Sequence, residues 1–209
     1  MTQETWRKPL RSLARIEYRG DLQAVYLNEP LLNAERTFAF YDDAASIVPT
    51  ANRILFTNGD LLPNYVDQIA TRKLKVHIGI HNPVNRRLLE FMQSPDANKI
   101  NIDCVNDCRT KPLEIRTPDT PENQAVHPST CWNYIMRRRN LVSITPSGDV
   151  QCCPHQTHQG EKETRMWGNI NDTDLLVIYR GFEFWQFREQ RRLGLTTGMR
   201  QMCRDCTGK

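Results

Sequence analysis

Apolar and polar positions follow two different periods along the first half of the chain. Apolar side chains at every third or fourth position, such as Trp6, Leu10 and Leu13, predict amphipathic helices. The predicted helices cover residues 4–18, 34–48, 62–72 and 84–93. Short apolar runs bounded by glycine, proline or asparagine predict buried strands. These runs cover residues 22–28, 53–57, 74–80, 99–105 and 113–116.

Strands that alternate with helices of this length are typical of βαβ units and a parallel sheet, which places the chain in the α/β class. Because the crossovers in such a sheet are right-handed, the carboxyl ends of its strands lie on one rim. Three polar segments lie at or just past the end of a predicted strand: Asn28-Glu29-Pro30, Thr57-Asn58-Gly59 and His81-Asn82. We expect these three segments to lie close together.

The pattern changes after residues 117–130, which are rich in proline and lack apolar periodicity, as expected of a linker. Strands at 140–145 and 149–152 flank Pro146-Ser147-Gly148 and predict a hairpin. A long helix is predicted over 174–192. The sequence therefore predicts an α/β domain over 1–120 and a small α+β domain over 121–209.

Composition and charge argue against a membrane protein and against a nucleic-acid-binding protein. A chain of 209 residues that is 39% hydrophobic is long enough to bury a core without disulfides. It has no apolar stretch of membrane-spanning length, and its N-terminus is polar, so we expect a cytoplasmic protein with no membrane partner. The net charge of +4 and a pI of about 8.7 are too weak for a typical nucleic-acid-binding surface, so a nucleic-acid partner is not expected.

Seven cysteines make up the most informative group of residues. An odd number of thiols in an intracellular chain argues against a disulfide framework. Five of the thiols fall after residue 130, which favours a metal site there: Cys131, Cys152, Cys153, Cys203 and Cys206.

Spacing alone leaves three kinds of metal site open. A set of four thiolates suits a [4Fe–4S] cluster or a structural zinc ion equally well: Cys131, Cys153, Cys203 and Cys206. A zinc site with three thiolates and one imidazole is the third choice, and it uses Cys152 and His155 together with Cys203 and Cys206.

The second half of the chain resembles the auxiliary-cluster domain of radical SAM enzymes, in the shortened "twitch" form of the SPASM domain. The similarity rests on the cysteine spacing and on four stretches of sequence: ITPSGDVQCC, WGNINDTDLLVIY, FWQFREQRR and MCRDC. The resemblance implies one auxiliary [4Fe–4S] cluster. Its ligands would be Cys131, Cys153, Cys203 and Cys206.

The first half is similar to the partial βα barrel of the same enzymes. The stretches AVYLNEPLLN, RILFTNGDLL and KVHIGIHNP resemble the segments around strands two, three and four of that barrel. The resemblance implies S-adenosyl-L-methionine (SAM) in the complete enzyme, with Glu29 accepting a hydrogen bond from the SAM amino group. The flanking residues would be Asn28, Thr57, Asn58 and His81. Leu27, Asn28 and Gly79 depart from the family's usual residues at their positions.

The family's SAM-cleaving cluster needs a C-x3-C-x2-C loop, which does not occur in this sequence. Cys104 and Cys108 have the first spacing of that loop but no third cysteine. We therefore expect the chain to be either a portion of a longer enzyme, whose barrel here is incomplete, or a shortened relative. In either case, residues 1–209 alone should not cleave SAM.

The resulting expectation is the C-terminal portion of a radical SAM enzyme whose auxiliary cluster supports radical modification or oxidation of an unknown substrate. The substrate would be a peptide or a small molecule, and a reductant protein is a further candidate partner. Two other classes remain open: a non-catalytic Fe–S or electron-transfer protein, and a zinc-binding interaction module.

Overall fold

The computed structural model describes residues 1–24, 29–80, 86–107, 142–151 and 167–192, without the side chains of 80, 103–107 and 190–192. The chain divides into two compact units. One is formed by Leu10–Pro112, and the other by Met1–Pro9 together with Leu113–Lys209.

The Leu10–Pro112 unit contains a sheet of four parallel strands that follow one another in sequence order. These strands are β1 (Asp21–Leu22), β2 (Asn52–Thr57), β3 (Lys75–Ile80) and β4 (Asn101–Asp107). The helices of the first half are α1 (Gln3–Ala14), α2 (Ala34–Ile47), α3 (Val66–Thr71) and α4 (Arg86–Met92). Short 3-10 turns cover Pro30–Asn33, Leu62–Tyr65 and Pro95–Lys99. The parallel α/β fold expected from the sequence is confirmed.

The core of this unit lies between the sheet and helices α2, α3 and α4. Its buried apolar side chains come from both layers and include Phe38, Tyr41, Leu55, Ile69, Val76, Ile78 and Leu88. Each side chain of this size contributes roughly 1.5–3 kcal/mol through removal of its apolar surface from water. This packing fixes the helices against one face of the sheet and so fixes where each strand ends.

Helix α1 ends four residues before the end predicted from the sequence. Glu17 adopts a left-handed backbone conformation with φ of 49°. The backbone N–H of Tyr18 then donates to the carbonyl of Leu13 at 3.2 Å, which closes the helix C-terminus. Of the strand predicted at 22–28, residues 25–28 lie outside the described residues, as does the strand predicted at 113–116.

The second unit contains the predicted hairpin. Strand β5 (Ser143–Ile144) pairs antiparallel with β6 (Val150–Gln151). Residues 167–170 add a third antiparallel segment, because the Val150 N–H donates to the Gly168 carbonyl at 2.8 Å and the Trp167 N–H donates to the Val150 carbonyl at 3.0 Å. Val150 is therefore held on both sides, and the strand that leads into Cys152 and Cys153 is fixed.

The single helix predicted at 174–192 is in fact two helices, α5 (Leu175–Arg180) and α6 (Phe182–Arg192). Gly181 separates them with an extended backbone, φ −54° and ψ 140°, and its N–H donates to the carbonyl of Ile178. Asp174 caps α5 by accepting from the Leu176 N–H at 2.9 Å. The periodicity runs on through Gly181, which is why the sequence did not predict the break.

Within the described ranges, no helix is both long enough and apolar enough to cross a membrane.

Candidate functional site

The carboxylate of Glu29 occupies the rim at the carboxyl end of β2. Its Oε1 accepts hydrogen bonds from Thr57 Oγ1 at 2.8 Å and from the Leu31 N–H at 3.1 Å. Its Oε2 accepts from the Asn58 N–H at 2.8 Å. The proximity predicted for Glu29, Thr57 and Asn58 from strand order alone is therefore confirmed, and we call these three residues the rim.

A tight turn after β2 sets the position of the rim. Thr57 is buried, and its Oγ1 also accepts from the Gly59 N–H at 3.0 Å, while Asn58 Oδ1 accepts from the Asp60 N–H at 3.0 Å. Gly59 has φ of +86°, and a Cβ on it would lie 2.8 Å from two carbons of the Leu88 side chain. Packing against α4 thus requires glycine at this position, and the turn aims the Asn58 N–H at Glu29.

The rim retains capacity to bind a cation. Oε1 of Glu29 accepts two hydrogen bonds and Oε2 accepts one. An ionised carboxylate offers about four acceptor positions, so the donors among the described residues leave one position at Oε2. An ammonium group fits that position, since hydrogen bonds between opposite charges are among the strongest in proteins. Asn28 and His81, which the sequence predicted to lie close to these three residues, are outside the described residues.

The four cysteines expected to bind metal, Cys131, Cys153, Cys203 and Cys206, also lie outside the described residues. So does the alternative pair Cys152 and His155. Among the residues that are described, no group of three or more histidine, cysteine or acidic side chains comes together. The structure therefore describes only the elements that precede or follow the predicted metal ligands in the sequence.

One such element is the turn between β5 and β6, which is organised around Asp149. Its carboxylate accepts hydrogen bonds from Ser147 Oγ, from Asn169 Nδ2 at 2.9 Å and from Thr145 Oγ1 at 3.2 Å. The bonds from Ser147 and then Asn169 are the main causes that lower the pKa of Asp149. The ionised carboxylate therefore joins the hairpin to the segment at 167–170.

Gly148 and Asn171 complete this junction. Gly148 has φ of +97°, and a Cβ there would lie 2.5 Å from Asn171 Nδ2. Asn171 Nδ2 itself donates to the Ser147 carbonyl at 2.9 Å. Lys8 Nζ donates to Asn171 Oδ1 at 3.2 Å and to its carbonyl at 3.3 Å. The first turns of α1 are thereby tied to the same junction.

Several aromatic rings pack together in the second unit. Trp167 stacks on Phe184 with centroids 4.9 Å apart, and Phe187 lies 5.1 Å from Trp167. The guanidinium carbon of Arg188 lies 3.6 Å from the centroid of Tyr179 and 4.9 Å from that of Phe184. These distances are those of cation–π contacts.

Sequence reasoning assigned no role to Asp149, Asn169 or Arg188, although all three lie in the stretches used for the resemblance. For Asp149, the signal was present: a Ser-Gly-Asp turn between two strands places an acceptor next to hydroxyl donors. For Arg188, the signal is the spacing of four residues from Phe184 on a helix. Asn169 contacts Asp149 only because the chain returns to the hairpin 20 residues later, and no local pattern indicates that.

Comparison with known proteins agrees with these features. Residues 131–207 match the family profile of SPASM, described as an iron–sulfur cluster-binding domain. The matched range contains all five cysteines of the second half of the chain. No curated protein matches the sequence significantly.

Two solved structures share the fold. The crystal structure of BtrN in complex with AdoMet and 2-DOIA has a TM-score of 0.74 and 20% sequence identity, covering 98% of this chain and 79% of that chain. The crystal structure of SeMet BtrN in an open conformation has a TM-score of 0.69 and 20% identity, covering 99% of this chain and 79% of that chain. The resemblance predicted for the second half is therefore confirmed by the match of residues 131–207 to the SPASM iron–sulfur cluster-binding domain, and the chain has the fold of the two BtrN structures.

Proposed function

We propose that this chain works within a radical SAM enzyme, with one auxiliary [4Fe–4S] cluster bound by Cys131, Cys153, Cys203 and Cys206. When bound, such a cluster accepts or passes on single electrons. The substrate would be a peptide or small molecule that undergoes radical modification or oxidation. The observation that carries the proposal is the SPASM match, because it spans all four of these cysteines.

The hairpin supports this choice of ligands. Val150 and Gln151 are fully buried, and backbone hydrogen bonds hold Val150 on both sides. If the strand continues for two more residues, Cys152 and Cys153 face opposite sides, since side chains alternate along a strand. Only one of the two thiols can then serve the cluster, and the spacing from Gly148 favours Cys153.

The geometry of the rim supports the proposal that SAM binds there. Glu29 Oε2 keeps an acceptor position while Thr57 and Asn58 hold the carboxylate still. We propose that this position receives the amino group of SAM, as the resemblance implies, with Asn28 and His81 completing the surroundings. The rim residues bind and orient this group, and they do so without rearrangement because the carboxylate is already fixed.

A non-catalytic Fe–S or electron-transfer protein is the second candidate, and one observation favours it. The three hydrogen bonds of Glu29 come from Thr57, Asn58 and Leu31, so the carboxylate has a structural role that requires no ligand. The sequence also lacks a C-x3-C-x2-C loop. A scaffold of this kind could bind the auxiliary cluster alone.

Iron loading of matched cysteine variants tests the cluster. Anaerobic reconstitution of the wild type should give about four irons per chain, as expected for a [4Fe–4S] cluster with four thiolate ligands. Cys153→Ala should lose the cluster, and the control Cys152→Ala should keep it. Stoichiometric zinc in a colourless wild type would contradict the proposal. Loss of metal only in Cys152→Ala would favour the zinc site that uses Cys152 and His155.

A further inference from the structure

The turn after β2 contains the only Asn–Gly pair in the sequence, Asn58-Gly59. An asparagine before glycine is the pair most prone to deamidation, because glycine has no side chain to shield its backbone nitrogen. That nitrogen attacks the side-chain carbonyl carbon of the asparagine, ammonia leaves, and a succinimide ring forms. Water then opens the ring to aspartate or isoaspartate. Overall, an amide and a water molecule give a carboxyl group and ammonia, so the reaction needs no oxidant or reductant.

Hydrogen bonds in this turn hold both reacting groups of the pair. The Gly59 N–H donates to Thr57 Oγ1 at 3.0 Å, and Gly59 is buried. The reaction requires solvent base to remove the proton of this N–H, so burial and the hydrogen bond slow it. Asn58 Oδ1 accepts from the Asp60 N–H at 3.0 Å, which fixes the side-chain amide in an Asx turn. The nucleophile and the carbonyl that it attacks are therefore held by two separate hydrogen bonds.

The Glu29 carboxylate strengthens this arrangement from the other side. The Thr57 hydroxyl, which accepts from Gly59, donates its own proton to Glu29 Oε1 at 2.8 Å. A hydroxyl that donates to a carboxylate is a better acceptor for a second donor, since hydrogen bonds in a chain polarise one another. The Asn58 N–H donates to Glu29 Oε2 at 2.8 Å, which fixes the backbone on the other side of the same residue. The rim therefore restrains the Asn–Gly pair as well as the carboxylate.

We propose that Asn58 is a deamidation site that the rim protects, and that it reacts only when the turn opens. Either product alters the rim. Aspartate at this position adds a negative charge beside the Glu29 carboxylate, whereas isoaspartate inserts an extra carbon into the backbone and moves the N–H away from Glu29 Oε2. Turns open locally at a lower free energy than the whole fold, so the extent of reaction records how often the rim opens. This inference is independent of the cluster and of the SAM site proposed above.

Peptide mapping by mass spectrometry tests the proposal on the full chain. Samples are kept at mildly alkaline pH, and the fraction of Asn58 converted to aspartate or isoaspartate is followed with time. The folded wild type should convert far more slowly than the same chain in urea. Thr57→Val removes the acceptor of the Gly59 N–H and should raise the rate about tenfold, which corresponds to about 1.4 kcal/mol in the opening equilibrium. Thr57→Ser retains the hydroxyl and should keep the wild-type rate.

Tyr41→Phe is the matched control for a general loss of stability. It removes a different buried hydrogen bond of the same unit, from the Tyr41 hydroxyl to the Ile54 carbonyl, and should convert Asn58 at the wild-type rate. Hydrogen exchange at the Gly59 amide, followed by NMR in the wild type, needs no variant and should show strong protection. A freely exchanging Gly59 amide, or equal rates in the folded and the urea-unfolded wild type, overturns the inference. So does a rate in Thr57→Val that does not exceed the rate in Tyr41→Phe.

Discussion

Glu29 holds the rim together before any ligand binds. Its carboxylate accepts from Thr57 Oγ1, from the Asn58 N–H and from the Leu31 N–H. These donors belong to two separate segments, the end of β2 and the 3-10 turn Pro30–Asn33. The same carboxylate therefore serves as a structural clamp and as the proposed acceptor for a cationic amino group.

Glu29→Gln should destabilise the chain by about 1–3 kcal/mol, because the new amide NH₂ faces hydrogen-bond donors and leaves at least one of them unpaired. Urea unfolding followed by circular dichroism measures this change. The control is Glu35→Gln, an exposed carboxylate in the first turn of α2, where the expected loss is below about 1 kcal/mol. Equal losses in the two variants would mean that the clamp contributes nothing to stability.

Asp149 has the clearest electrostatic role in the second unit. Hydrogen bonds from Ser147, Asn169 and Thr145 favour its ionised form and lower its pKa. Because the pKa is lower in the folded state, the ionised carboxylate stabilises the fold above the ordinary aspartate value of about 3.9. That contribution disappears as the pH falls below this value and through the native pKa.

A titration followed by NMR should therefore place the midpoint of the Asp149 carboxyl carbon below about 3.9, the value for an aspartate in an unstructured peptide. Ser147→Ala should raise the midpoint, since the Ser147 hydroxyl is the largest cause of the lowered pKa. As a control, Ser143→Ala changes a serine of β5 outside this network and should leave the midpoint in place. A midpoint at or above 3.9 in the wild type, or one unmoved in Ser147→Ala, would contradict the assignment.

Two turns decide where the functional segments lie, and both depend on glycine. Gly59 lets the chain turn after β2 beneath Leu88, and Gly148 lets β5 return as β6 beside Asn171. Both have positive φ, which side chains with a Cβ adopt only with strain. Gly181 also lies between two elements, but its φ of −54° is open to any residue.

Gly148→Ala should therefore cost more than about 1 kcal/mol, from backbone strain and from the approach of the new Cβ to Asn171 Nδ2. For a chain of this length, each 1 kcal/mol corresponds to roughly 2–4 °C in melting temperature, which calorimetry resolves. Gly181→Ala is the matched control, with the nearest contact of its Cβ at 3.1 Å and no positive φ. A melting temperature lowered equally in both variants would argue against strain at Gly148.

Residues 1–209 on their own should bind a cluster without cleaving SAM. A cluster with thiolates on all four irons has no open iron position for the SAM amino and carboxylate groups, and the sequence has no C-x3-C-x2-C loop. Reconstituted chain, incubated with SAM and dithionite, should form no 5′-deoxyadenosine above a cluster-free control in a chromatographic assay. Product above that level would require a cluster with an open site, and Cys104 with Cys108 would be the first residues to change.

The order of elements in the Leu10–Pro112 unit could be predicted from local pattern because each signal is short-range. Apolar periodicity identified α2 and β2, and the alternation of helices and strands fixed the parallel connection. The right-handed crossover rule then brought Glu29, Thr57 and Asn58 to one rim, as the hydrogen bonds confirm. The hairpin was predictable for the same reason, since Pro146-Ser147-Gly148 is itself a turn signal.

The sequence pattern by itself predicted the fold class, the proximity of the rim residues and a metal site in the second half of this protein. Contacts between residues far apart in sequence were seen only in the tertiary structure. Helix α1 ends at Ala14 because Tyr18 bonds back to Leu13, and the helix predicted at 174–192 divides at Gly181. Asn169 reaches Asp149, and Arg188 lies over Tyr179, only after the chain has folded back on itself. Periodicity reports which face of an element is buried, but the partner of a polar group depends on which elements meet.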